Sequence, residues 1–444
     1  MSVERDVVVI GGGLAGIAAA LDCADTGARV TLLEVRRRLG GAAYSFTREG
    51  LEMDNGQHVF LRCCVAYRAL LSRLGSERHV AVQPRLEIPV LRPGASPAVL
   101  RRSGLPAPLH LAGALARYPH LTPAQRLGAA RAALALMRLD PADERLERLT
   151  LGDWLARHGQ GPEAVAALWD LIALPTLNLA AAQASLALGV FVFRTGLLSS
   201  ADAGDIGFHR GTLGETIAAP AERALREAGV DVRLGWGAER LQLTSDGVEV
   251  QARAGVDGVS ADAAIVAVPH ARAATLLEPL LGASARRLRE LGSSPIVNLH
   301  VVYDRPVCDH PFAAGVGTPV QYLFDRTAAA GAPPGCQYLA VSLSGADTEM
   351  EMSVDALRER YLPVLEALLP RARAAKVESF LVTREHAATF RAVPGVGALR
   401  PGPRVGLPRV VLAGAWTATG WPATLEGAAL SGHAAAASAM EELA

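Results

Sequence analysis

The chain has 444 residues, enough for more than one sub-domain around a substantial core. Forty-four basic side chains balance forty-four acidic ones, so the electrostatic footprint of a nucleic-acid-binding protein is missing, and no nucleic-acid partner is expected. Half of the residues are hydrophobic and 20% are charged, a globular composition that argues against extensive disorder. Five cysteines, Cys23, Cys63, Cys64, Cys308 and Cys336, are odd in number and lack the spacing of a metal site, which predicts neither zinc nor a disulfide framework and points to a reducing compartment. The opening stretch Met1 to Asp6 carries acidic residues and runs straight into a strand, unlike a signal peptide, so a cytoplasmic protein is expected.

In chain order, Val7 to Ile10 reads as a β-branched strand, Gly11 to Gly16 as a glycine turn, and the alanine-rich stretch after it as a helix; Ala28 to Leu33, ending at Glu34, completes a βαβ unit. Tyr44 to Phe46 reads as a further strand. Between about 85 and 204 the stretches Ala124 to Leu139 and Ala164 to Leu174 have helical spacing. The uncharged run Leu171 to Phe193 is long enough to span a bilayer, but Pro175, Asn178, Gln183 and Ser185 interrupt it, and buried helices are expected instead. His209-Arg210 reads as part of a turn before a helix that ends near Glu227. Strands follow at Val230 to Leu234, Leu241 to Leu243, Val248 to Val250 and Ala263 to Val268. Further strands are predicted at Ile296 to Tyr303, Tyr338 to Ser344 and Arg409 to Gly414, with helices at Val354 to Leu369 and Thr424 to Ala439. The alternation predicts an α/β chain with a Rossmann-type nucleotide domain in three segments (1–84, 205–282, 377–444). A discontinuous α+β substrate domain (85–204, 283–376) lies between them, its first part mostly helical.

Gly11, Gly13 and Gly16 form G-x-G-x-x-G between a strand and a helix. The first glycine turns the chain, the second admits a pyrophosphate, and the third lets helix and strand pack closely, while the helix opening at Leu14 and Ala15 offers free N–H groups to the anion. Glu34 stands where a carboxylate accepts hydrogen bonds from a ribose diol. The pattern specifies a dinucleotide without choosing between NAD and FAD.

The stretch Glu34-Val35-Arg36-Arg37-Arg38-Leu39-Gly40-Gly41 resembles the second glycine motif of the FAD-dependent amine oxidase and carotenoid desaturase superfamily. The resemblance implies that Glu34, Val35, Arg36, Gly40 and Gly41 line the adenosine and pyrophosphate of FAD, and that the backbone near Ala238 touches adenine. Ala42 departs from the arginine common after the doublet. The run Gly414 to Ala428 is similar to the superfamily's closing motif, which would place Gly414 by the ribityl chain and Trp421, Thr424 and Leu425 at the isoalloxazine; Ala415 replaces the usual aspartate.

The segments Leu51 to Cys64 and Gly420 to Gly427 together look like the squalene-associated FAD-dependent desaturase family, the hydroxysqualene dehydroxylases of bacterial squalene and hopanoid synthesis. Membership implies reductive removal of a hydroxyl from a C30 isoprenoid alcohol, with hydride from reduced flavin N5. It also places Gly56, Gln57 and His58 against the flavin. There His58 has a near-neutral pKa for a general acid and Gln57 orients substrate or flavin, or else His58 only hydrogen-bonds the cofactor. The rivals are a carotenoid-type desaturase, an amine oxidase, and a non-catalytic isoprenoid carrier on the same fold. Amine oxidases of this fold often keep a lysine near N5, and Lys376 is the one lysine here. Cys63-Cys64 offers either thiol chemistry or packing, and Arg62 either steering or a surface ion pair. The helical insert would supply the lipid tunnel. Its arginines Arg117, Arg126, Arg131 and Arg138 either meet anionic headgroups in a peripheral membrane contact or form solvated faces. The reductant is not specified.

Overall fold

Two large sheets organise the chain, a computed structural model that describes residues 5–252 and 257–444. The first is five-stranded and wholly parallel, ordered Asp231–Leu234, Arg29–Glu34, Asp6–Ile10, Ala263–Val266, Val410–Leu412. In chain order this is 3-2-1-4-5, the doubly wound arrangement. Its strands are apolar on both faces because both are covered. Val7 and Val9 face the helices Leu14–Asp25 and Leu425–Glu442, whereas Val8 and Ile10 join a cluster with the small antiparallel sheet that contains Ala238–Leu243.

The second sheet has seven strands, ordered Val377–Thr389, Ser294–Tyr303, Gln337–Ser344, Tyr322–Asp325, Phe312–Gly315, Glu87–Leu91, Ala98–Arg101. All neighbours are antiparallel except Phe312–Gly315 with Glu87–Leu91. One expected boundary shifts: residues 377–389, grouped above with the nucleotide segments, pair along most of their length with Ser294–Tyr303 and continue the second sheet. Local pattern alone assigns a strand, not the sheet it joins.

The helical insert runs from Leu109 to Leu198. The uncharged run Leu171 to Phe193 is broken into Asp170–Leu177 and Leu186–Phe193 by Asn178, whose left-handed backbone (φ 51°) ends the first helix. Among the described residues no helix is long and apolar enough to cross a membrane. Residues 1–4, part of the opening stretch read above, lie outside the described residues.

A three-stranded sheet matters most for position. Val59–Leu61 and Val80–Val82 both pair with Ile206–His209, with Val59 opposite Phe208. It draws the segment before Val59 onto a strand 150 residues distant in sequence.

Candidate flavin and substrate site

The two glycine motifs meet in space. Gly40 N–H donates to the Gly12 carbonyl at 2.9 Å, and a Cβ on Gly41, whose φ is +59°, would stand 2.7 Å from the Gly13 Cα. A Cβ on Gly16 would overlap the Gly11 carbonyl, so the helix can start this close to its strand only with glycine there. Gly13 caps that helix without a side-chain bond, and the first turn, Leu14 and Ala15 included, carries no acid; its N–H groups remain free for an anion. Glu34 is buried, its carboxylate held by N–H groups of Gly12 (2.7 Å) and Arg36 (2.8 Å). Val35 is exposed beside Gly237, and the adjoining Ala238 begins the next strand, its carbonyl accepting from Arg272.

Where Ala42 leaves a gap, the structure brings another cation. The Arg38 guanidinium lies 3.6 Å from the centre of the Tyr44 ring and donates through Nη1 to the Gly41 carbonyl at 3.2 Å. Its Nη2 is buried without a partner. Burial, with Arg36 nearby, lowers its pKa. A charged group with an unmet donor beside two glycine loops suits a phosphate oxygen.

In the closing motif, Gly414 donates to Ser431 at 2.8 Å and Thr424 caps the last helix at Leu425, accepting from Gly427 N–H at 3.1 Å. Trp421 packs edge-on against Phe191 of the insert, ring centres 5.1 Å apart. Buried Glu426 accepts the N–H groups of Ala66 and Tyr67, tying the motif to the helix after Cys64. Sequence reading missed Arg400: it is buried, stacks on Phe390 (4.7 Å), and donates to the carbonyls of Ala415, Trp416 and Thr417. Burial lowers its pKa to about 10. At Ala415 the backbone carbonyl is thus occupied by Arg400, which holds this loop.

Gly56 is buried against Asn298, whose Nδ2 donates to the Asn55 carbonyl at 2.8 Å and whose Oδ1 has no partner. Gln57 and His58 border a cavity of about 20 Å³, the room of one water, with Phe208, Phe324, Asp54 and Arg326 among its other walls. Gln57 Nε2 is buried and unpartnered. The near-neutral pKa expected for His58 is not what the structure supports: desolvation pushes it down to about 4, only partly opposed by Glu385. His58 is therefore a neutral imidazole at pH 7.

His209, read above as a turn residue, is instead the buried last residue of the strand Ile206–His209. Its Nδ1 lies 2.8 Å from the His58 carbonyl and its Nε2 lies 2.8 Å from the Tyr67 hydroxyl. A carbonyl only accepts, so Nδ1 carries the proton and Nε2 accepts from Tyr67. Arg326 reaches both the His209 carbonyl and buried Asp54 (2.9 Å). No local motif marks His209 or Arg326; only strand pairing brings them here.

Arg62 pairs with fully buried Asp205 at 3.0 Å, which Arg102 also engages. All five cysteines are free thiols, and Cys64 sulfur accepts the Leu61 N–H, which favours packing. Lys376 is exposed in an ion pair with Glu378. Among the described residues no group of His, Cys, Asp and Glu is placed to hold a metal ion. A larger hollow of about 350 Å³ lies at the amino ends of the parallel strands, lined by Asp6, Arg29, Asp231 and Arg233, opposite to where such sheets bind ligands.

The family model for flavin containing amine oxidoreductases matches residues 14–440. The chain belongs to that family. This flavoprotein is 30% identical over 426 residues to hydroxysqualene dehydroxylase of Rhodopseudomonas palustris and 28% over 424 residues to that of Sinorhizobium fredii, covering 93% of each chain. Zeta-carotene desaturase of Arabidopsis thaliana is 24% identical over 456 residues, covering 93% of this chain and 81% of the relative. Cyclohexylamine oxidase of Brevibacterium oxydans superimposes with a TM-score of 0.75 at 20% identity, over 99% of this chain and all of that one, which speaks for fold alone. The flavoprotein is an FAD-dependent oxidoreductase with a Rossmann-type α/β fold, and the glycine cradle, buried Glu34 and unmet Arg38 donor fit that cofactor.

Proposed function

We propose that this flavoenzyme reductively dehydroxylates a C30 isoprenoid alcohol of the hydroxysqualene class in squalene and hopanoid synthesis, yielding the hydrocarbon and water. The observation that carries the reading is the position of the Gln57–His58 cavity. Two of its walls, Phe208 and Phe324, belong to an apolar cluster that runs through Ile206 and Leu171 to Tyr118 and Leu121 of the insert. A hydrocarbon needs only apolar area and shape along such a path, and a single polar end where its one hydroxyl stops. The 30% identity to a hydroxysqualene dehydroxylase over nearly the full length supports the same reading.

In this proposal Gly11, Gly13, Leu14, Ala15, Gly16, Glu34, Val35, Arg36, Gly40, Gly41 and Ala238 hold the adenosine and pyrophosphate, with Arg38 in place of the absent arginine at Ala42. Gly56, Gly414, Trp421, Thr424 and Leu425 border the ring end. Bound FAD, when reduced, supplies the hydride that replaces the hydroxyl on the allylic carbon. Gln57 Nε2 donates to the substrate oxygen. His58 takes up a proton from solvent and delivers it to that oxygen, which leaves as water. The alcohol thus loses hydroxide and gains hydride, and the proton balances the water formed. Phe208 and Phe324 keep bulk water from the reacting carbon. His209 holds His58 without titrating, because both its ring nitrogens are engaged.

A carotenoid-type desaturation is the second reading, motivated by the zeta-carotene desaturase relative. Anaerobic incubation of the FAD-loaded protein with hydroxysqualene and a chemical reductant separates the two. Squalene formed in step with flavin reoxidation is expected; bound flavin with no squalene moves the proposal to the desaturase. We place the enzyme at the cytoplasmic face of a membrane, its reductant unassigned.

A further inference from the structure

From Ile88 to Leu139 the chain has no aspartate or glutamate and seven arginines, in a protein whose forty-four basic and forty-four acidic residues cancel overall. The fold gathers this stretch in one place: helix Ala112–Arg117 packs on the edge strand Ala98–Arg101 and on helix Pro123–Leu136. On the longer helix Ala129, Ala132 and Leu136 are buried, while Ala124, Leu127, Arg131 and Leu134, with Arg138 just beyond its end, are exposed at spacings of three and four. That spacing is one helical face. Leu127 is 54% exposed and Leu134 52%; Leu105 (51%) and Leu109 (56%) stand out from the adjoining loop. Arg92, Arg117, Arg131 and Arg138 are exposed and pair with no carboxylate among the described residues. Arg126 differs, being spent on the Ala116 carbonyl that joins the two helices.

A solvated helix face carries acids as well as bases; a protein interface of this apolarity does not need four unpaired guanidinium groups. Leucines level with arginines and no acid suit a surface that is apolar below and anionic above. In the connection between the two helices, Tyr118 and Leu121 are buried in the apolar cluster that shares Phe208 and Phe324 with the walls of the His58 cavity. We infer that the face formed by Leu105, Leu109, Leu127, Arg131, Leu134 and Arg138 docks on an anionic lipid bilayer, with the leucines among the acyl chains and the arginines at the phosphates, and sets the apolar cluster over the membrane. The inference deepens the lipid-substrate reading, but vesicle binding is measured without turnover, so it stands or falls separately from the dehydroxylation assay.

The test is sedimentation of the FAD-loaded protein with vesicles of phosphatidylcholine containing phosphatidylglycerol, against pure phosphatidylcholine vesicles. Binding to the anionic vesicles that weakens with salt is expected. Arg131→Gln with Arg138→Gln should weaken it about 30-fold, at about 1 kcal/mol per charge, and Leu127→Ser with Leu134→Ser about tenfold or more. Val354→Ser with Arg358→Gln, on a different helix, should leave it unchanged. Retained flavin absorbance reports folding. Hydrogen–deuterium exchange of the unaltered protein on vesicles gives an answer should a variant misfold: protection is expected over residues 105–138. Equal binding by all variants, no preference for anionic vesicles, or protection located elsewhere overturns the inference. So does a concentration-dependent dimer that the leucine variant abolishes without any vesicle binding, which would make a second copy the occupant.

Discussion

His209 donates its Nδ1 proton to the backbone carbonyl of His58, 2.8 Å away, so one histidine fixes the chain position of another through the main chain. Tyr67, donating to Nε2, locks the tautomer that makes this possible. His209→Leu should therefore keep its FAD and lose turnover about 10- to 100-fold. Tyr67→Phe should do the same more mildly, since Nδ1 keeps its acceptor. Flavin absorbance and single-turnover reoxidation with hydroxysqualene check both, and an unaltered rate in His209→Leu would remove it from the positioning of His58.

His58 itself is held near a pKa of about 4 by burial. A general acid is loaded only below its pKa, so the dehydroxylation rate should climb as pH falls from 7 toward 5. His58→Asn should abolish that climb and lower the rate about 10²- to 10⁴-fold while flavin stays bound. A flat pH profile in the unaltered enzyme would instead leave His58 as a hydrogen-bonding residue.

Arg38 carries a buried side-chain donor, Nη2, with no partner beside the two glycine loops. Arg38→Ala should weaken FAD binding about 10- to 100-fold, the worth of one or two charge-assisted hydrogen bonds. Riboflavin, which has no phosphate, should bind the variant and the unaltered protein alike. Fluorescence titration with both ligands reads the difference.

His58, His209 and His300 are kept neutral, with pKa values pushed down to about 4, 3 and 4. In the unfolded chain each protonates below about 6.5. The unfolded state then binds protons that the native state refuses, so stability should be full above that pH and fall as pH drops from 6.5 toward 4. For the two most buried, His209 and His300, the loss is about 2 kcal/mol each at pH 5. Thermal unfolding followed between pH 7.5 and 5 should show the decline, shallower in His300→Gln.

Much of the nucleotide half is legible from residues in order. G-x-G-x-x-G, the strand to Glu34 and the Gly40–Gly41 doublet are local patterns whose partners lie within about thirty residues. The strand and helix periodicities around them follow from the same short-range rules. Beyond that range the reading thins. Residues 377–389 read as a strand but not as a member of the second sheet, because pairing partners 74 to 95 residues away leave no local trace. Ala42 reads as a lost contact, and only the fold returns a cation there, by laying Arg38 over Tyr44.

The sequence alone determined that this chain binds a dinucleotide, how its strands and helices alternate, and that a histidine follows Asn55-Gly56-Gln57 ahead of an insert rich in leucine and arginine. These depend on spacing and side-chain type, which are properties of neighbours in the chain. Tertiary structure decided the protonation of His58, the role of His209 and Arg326, and which arginines face outward. Those are set by desolvation and by contacts across 117 to 272 residues of chain, and burial exists only once distant segments have packed.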